Sequence, residues 1–200
     1  MILFQKQSPE EKFWEWFTKN EQYLYNFQQD QERVFKDLSE ELSKIHPDLV
    51  FEFGPVENEA RIFILSADGL KEAFPFVEKL YACAPNNPKW KIIKFRPRSE
   101  PCDLIIHNIT LHPSDISVTL EQDGQKVGLS VFVKGLADRN DQAYTHGVYI
   151  MLDFVLGEYD METKVGFIEI YPNEKITTVP KIELGEFARA FDDFYRVMSN

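Results

Sequence analysis

The sequence predicts an α+β protein, a mixed, largely antiparallel sheet with helices packed on it. Three observations carry that reading. Apolar residues recur at helical spacing near both ends of the chain. Two alternating runs flank Asp123-Gly124, a strong hairpin signal. The order strand–strand–helix–strand also occurs twice, over residues 49–98 and 116–171, after a helical pair at 8–46 and before a closing helix. The similar offsets fit either a structural duplication or a coincidence, since side-chain identity between the halves is slight. No linker rich in Pro, Gly or Ser separates them, so a single domain over 1–200 built on one continuous sheet is the simpler expectation.

The elements follow in order. Ser8-Pro9-Glu10-Glu11 starts a helix: Ser8 caps, Pro9 suits the first helical position and Glu11 completes a capping box. A second helix is expected from Asn26, with Gln29 at the box position and Val34, Leu38, Leu42 and Ile45 on one face. His46-Pro47 ends it, because the residue before proline is pushed out of the helical region. Strands follow at 49–55 and 61–66, closed by Gly54-Pro55 and Asp68-Gly69. A helix over 75–84 precedes a basic strand at 89–98, and a short strand is expected at 103–109. The hairpin puts Ile116, Val118 and Leu120 on one face, and Val127, Leu129, Val131 and Val133 likewise. A mostly apolar helix spans 141–156, with Gly157 placed for a left-handed cap. A strand at 163–171 follows, and Phe187, Ala190, Phe191, Phe194 and Met198 mark the last helix.

Composition bounds the function classes. With 44% hydrophobic and 28% charged residues the chain is globular, and its 11 excess negative charges argue against general nucleic-acid binding. Acidity of this size serves solubility or the recognition of a basic partner. The longest apolar run, 148–156, is interrupted by Asp153 and too short for a bilayer, so no membrane association is expected. Residues 1–6 have neither a long apolar core nor a small-residue cleavage site, which leaves a cytoplasmic location as the expectation. Cys83 and Cys102 match no metal or redox spacing, and Cys83 is expected on the apolar face of its helix.

The densest local signal is basic. Five of the 22 cations, Lys89, Lys91, Lys94, Arg96 and Arg98, fall within ten positions, and no acid lies between Lys79 and Glu100. Strand alternation puts Trp90, Ile92, Lys94, Arg96 and Arg98 on one face. Such a row must meet carboxylates, an anion or water. Its counterpart is the acidic segment Gly157-Glu158-Tyr159-Asp160-Met161-Glu162, whose carboxylates oppose the dipole of the helix before them. Solvent, the basic strand or a bound cation could compensate them. Asp153 has no cation at i±3 or i±4, so it is either a water-touching helix edge or a site acid or base.

Other constellations are weaker. His46, His107, His112 and His146 have no metal-ligand spacing, and no metal or cofactor is expected. No nucleophile elbow, phosphate loop or dinucleotide fingerprint is present. Phe13, Trp14, Trp16 and Phe17 cannot share one helical face, so either both faces are covered or one Trp is left to anchor a partner.

Several segments together form a pattern: Phe13-Trp14-Glu15-Trp16-Phe17 with Asn20-Glu21, residues 49–54, Ser66-Ala67-Asp68-Gly69, Ala84-Pro85, residues 90–98 and Leu156-Gly157-Glu158. This pattern resembles a family of uncharacterised bacterial proteins of about this length and would span nearly the whole chain. No activity comes with that family, so the resemblance implies only a bacterial, cytosolic protein and transfers no catalytic residue.

Two functions remain open. One is a non-enzymatic, acidic protein-binding domain, in a narrower form an immunity or antitoxin-like protein that blocks a basic effector. The other is an enzyme or binding domain for a small anionic ligand. That reading uses Trp90, Lys94, Arg96 and Arg98 for binding, and Asp153, Glu158 or Asp160 as acid or base. It requires these residues to line one pocket. If the cations instead pair with Glu52 or Glu158, the row is structural.

Overall fold

The computed structural model describes residues 7–106, 109–138 and 141–199, which hold seven α-helices and nine strands. The α+β class is as the sequence predicts, but the single continuous sheet is not: the strands divide among three sheets. The chain forms two compact units, Met1–Arg96 and Pro97–Asn200.

The first unit opens on α1 (Pro9–Lys19), whose capping box between Ser8 and Glu11 forms in full. The short α2 (Glu21–Tyr25) and α3 (Gln31–Ser43) follow. The second helix therefore begins five residues later than its pattern suggests. Phe27 explains the delay. Its ring stacks on Phe53 at 4.6 Å, and a 3₁₀ turn at Phe27–Gln29 holds it there. Next come β1 (Val50–Glu57), β2 (Ala60–Ser66), α4 (Phe74–Ala82) and β3 (Trp90–Lys94). β1 pairs antiparallel and β3 parallel with the central β2.

Phe63 on β2 is fully buried and meets Trp14, Phe17, Phe51, Phe53 and Trp90, with ring centroids 5.0–6.4 Å apart. Around it Phe13, Trp14 and Phe17 are buried, and the Trp14 indole N–H donates to the Leu80 carbonyl at 2.8 Å. Trp16 is half-buried and packs against the same core. Cys83 does not join it: the helix ends at Ala82, and the thiol-bearing residue is exposed at the cap.

In the second unit β4 (Leu104–Ile106) and β5 (Ile109–Leu111) form a small hairpin where one strand was expected. The longer hairpin β6 (Ile116–Asp123) and β7 (Lys126–Val133) turns at Gly124, whose φ of 61° suits glycine. Helices α5 (Gln142–Leu156) and α6 (Glu158–Lys164) then lead to β8 (Val165–Pro172), parallel to β7. β9 (Ile182–Glu183) and α7 (Leu184–Met198) complete the unit, with strand order β8-β7-β6-β9. Leu129, Val131, Met151, Leu152, Phe187 and Phe191 form its dry core.

Both units thus contain an antiparallel hairpin, a helical crossover and a strand returning parallel to the hairpin's second strand. Two strand–strand–helix–strand units are present, as the spacing predicts. Among the described residues no helix is long and apolar enough to cross a membrane.

Phe63 is fully buried and touches five other rings, so its truncation leaves a cavity the surrounding rings cannot close. Phe63→Ala should lower the unfolding free energy by about 3–5 kcal/mol, read by urea denaturation.

Candidate functional site

The basic strand breaks where its row of cations should begin. β3 ends at Lys94, and Phe95 takes a φ of 62°, in the left-handed region that non-glycine residues seldom enter. Its ring is buried at 4.5 Å from Phe74, and its N–H donates to the Leu65 carbonyl at 2.7 Å. Burial of the ring and that hydrogen bond hold the unusual backbone. The alternation stops there, so the expected single face of Lys94, Arg96 and Arg98 is corrected: the three do not form a row.

Each cation of the island instead meets carboxylates. Lys89 pairs with Glu21 at 2.8 Å, Lys91 with Glu57 at 3.0 Å and Lys94 with Glu78 at 3.2 Å. Arg96 holds Glu52 through Nε and Asp68 through Nη2, the latter at 2.6 Å. Arg98 binds Asp192 through both terminal nitrogens at 2.8 Å and Asp160 at 2.5 Å. Five cations are thus surrounded by seven carboxylates. The three lysines lie on the exposed surface, where such pairs contribute about 0–1 kcal/mol. The two arginines are about one-third exposed and make several bonds each, so they are the stronger ties.

Arg98 has the richest surroundings. Its Nε also donates to the Leu156 carbonyl at 3.1 Å, at the C-terminal end of α5, where positive charge is favoured. One guanidinium therefore links α5, α6 and α7. The Asp192 hydrogen bonds raise the Arg98 pKa, against the effect of burial and with help from Asp160. Arg98 in turn lowers the pKa of Asp192. For Arg96, burial opposes ionisation, but Asp68 and Glu52 outweigh it and raise the pKa. Lys89 and Asn87 likewise lower that of Glu21.

The acidic segment departs from expectation in one respect. Residues after Gly157 form α6, so Glu158 and Asp160 stand in the first turn of a helix, where the dipole favours them. Gly157 makes the sharp junction, with φ 73° and ψ 154°, rather than closing α5 in a left-handed helical cap. Neither residue is simply solvated. Glu158 is 2% exposed, and Asp160 is held by Arg98 and by Lys164 at 2.8 Å. Of the compensations weighed for the segment, the basic stretch supplies the one found for Asp160.

The remaining predicted residues disperse. Trp90 is 5% exposed in the aromatic core, against Phe17 at 4.9 Å and Tyr25 at 5.7 Å, so it faces the core and not a ligand. Asp153 is half-buried on α5. A cleft of about 350 Å³ is lined by Arg98, Glu100, Pro101, Val155, Leu184 and Gly185 among others, but not by Asp153, Glu158 or Asp160. His107 lies outside the described residues. His112 pairs with Asp103 at 3.0 Å, which raises its pKa, and His46 packs on Phe76 at 4.3 Å. Among the described residues no three His, Cys, Asp or Glu side chains converge as a metal site.

Sequence reasoning named Glu52 as a partner for the row, and Arg96 takes it. It missed Asp68, Glu78 and Asp192. Asp192 lies 94 residues from Arg98, on the polar side of an amphipathic helix, and no local pattern marks it. Comparison with models of known families, with curated proteins and with solved structures gives no match.

The Arg98–Asp192 pair makes stability pH-dependent. Because the aspartate pKa is depressed in the folded state, its contribution is complete above the ordinary aspartate range and is lost as pH falls through the folded value. Asp192→Asn should flatten the acid limb of a stability–pH curve measured by thermal unfolding. Arg98→Ala should cost about 1.5–3 kcal/mol at neutral pH. Arg98→Lys should recover less than half of that, because an ammonium cannot bridge three helices.

Proposed function

We propose that this chain is a non-enzymatic protein-binding domain whose acidic surface engages a basic partner, in the manner of an immunity or antitoxin-like protein that blocks a basic effector. One observation carries the reading: every cation of the basic island is already met by carboxylates of the chain itself. The charge left over is negative. Residues Pro97–Asn200 contain 17 acidic and nine basic side chains, against 16 and 13 in the first unit. A field of that sign speeds encounter with a basic partner and repels nucleic acid.

The small-anion reading draws no comparable support. It needs Lys94, Arg96 and Arg98 to share one ligand, and each has different carboxylate partners. Cytoplasmic location and bacterial origin belong to the same proposal and rest on the sequence.

Co-purification from cells at low and rising ionic strength tests the reading. A stoichiometric partner rich in Lys and Arg, released as salt approaches roughly 0.15 M and beyond, is the expected result. The absence of any partner, with a melting temperature that climbs on addition of inorganic phosphate, would favour the small-anion reading instead.

A further inference from the structure

One cation of the first unit is treated unlike the basic island. Among the described residues Arg61, on β2, is the only buried cation, at 8% exposure, and it makes no ion pair. Burying a charge without a counterion is costly. Glu57, next to the register partner of Arg61, Val56, belongs to Lys91. Glu59, two residues before Arg61, is exposed and makes no ion pair among the described residues.

Two rings take part of that charge. Tyr25 and Phe27 have their centroids 5.1 and 5.0 Å from the guanidinium carbon. A ring attracts a cation through its π face but does not satisfy the in-plane N–H groups. Of those, Nη1 donates to the Gly54 carbonyl at 3.3 Å. Nε is buried without a partner, and Nη2 makes no hydrogen bond among the described residues. One whole edge of the fork, Nε with Nη2, is therefore unpaired. The only other buried side-chain polar atom without a partner among the described residues is the Trp90 indole N–H. Trp90 is the residue opposite Arg61 in the β2–β3 register. Both orphans are donors, so what this place lacks is an acceptor.

We propose that Arg61 anchors a binding site for a small carboxylate, which seats on the Nε–Nη2 edge of the guanidinium. Two parallel N–H groups match the two oxygens of a carboxylate. A carboxylate also sets one negative charge against one buried positive charge, whereas a phosphate group at neutral pH carries more. Nε is closed to solvent, so binding requires a neighbour to move. Tyr25 is half-buried and its hydroxyl is tied only by a long hydrogen bond, 3.4 Å to the Glu59 carbonyl. The site is independent of the acidic surface proposed above for a basic partner.

Titration of the full chain with sodium acetate, against sodium chloride at matched ionic strength, tests the site. In the wild type, acetate should raise the melting temperature above its chloride value and shift one arginine Nε–H resonance. Arg61→Lys keeps the charge and loses the fork, so it should remove that resonance and abolish the acetate shift. Arg61→Met should abolish the shift as well. Lys94→Ala should leave it intact. Equal behaviour in acetate and chloride, or an acetate response that survives Arg61→Lys, would overturn the site. Loss of the response in Lys94→Ala would also overturn it and return the anion to the basic island. A stronger response to phosphate than to acetate would overturn the carboxylate assignment. Glu59→Gln should unfold at the wild-type temperature. A fall there as large as that of Arg61→Met would give Arg61 a counterion within the chain and overturn the proposal.

Discussion

A single backbone angle decides what the basic island becomes. Phe95 turns the chain through the left-handed region at the end of β3, a conformation that costs roughly 1–3 kcal/mol for a side-chain-bearing residue. Contact of its ring with Phe74 and its hydrogen bond to Leu65 offset that cost. Had the strand continued, Lys94, Arg96 and Arg98 would share a face and repel one another. With the break, Arg96 turns to Glu52 and Asp68, while Arg98 turns to Asp160 and Asp192. The strained residue therefore separates like charges.

Arg98 then organises much of its own unit. Helices α5 and α6 meet at Gly157 almost without a loop, leaving the last carbonyls of α5 in need of donors. The guanidinium satisfies Leu156 and reaches across to α6 and α7. The fork geometry of arginine suits that task, since its donors point in fixed directions to three helices. Dispersed pairing also explains why the acidic excess is a surface property. Carboxylates outnumber cations even around the most basic ten residues of the chain, and the rest of Pro97–Asn200 adds more.

Local features of the fold were legible in the sequence, and long-range ones were not. The Ser8–Glu11 box, the Asp123-Gly124 turn and the repeated strand–strand–helix–strand order depend on neighbours within a few residues, and each forms. The late start of α3 depends on Phe27 docking on Phe53, a contact across 26 positions. The break at Phe95 carries no glycine to announce it. Helix α6 reads as a loop because Gly157, a helix terminator by type, here joins two helices. Of the candidate site residues, the local density of charge singled out Lys94, Arg96 and Arg98 and left carboxylates, an anion or water as what they meet. Their carboxylates sit 16 to 94 residues away, with the Arg98–Asp160 separation at 62.

The most direct test is a double-mutant cycle on Arg98 and Asp192, using Arg98→Ala, Asp192→Ala and the pair, with unfolding free energies from urea denaturation. Internal pairing of the basic island predicts a coupling of about 1–3 kcal/mol between the two sites. A coupling near zero, with Arg98→Ala as stable as the wild type, would contradict it and return Arg98 to the role of a free cation awaiting a ligand.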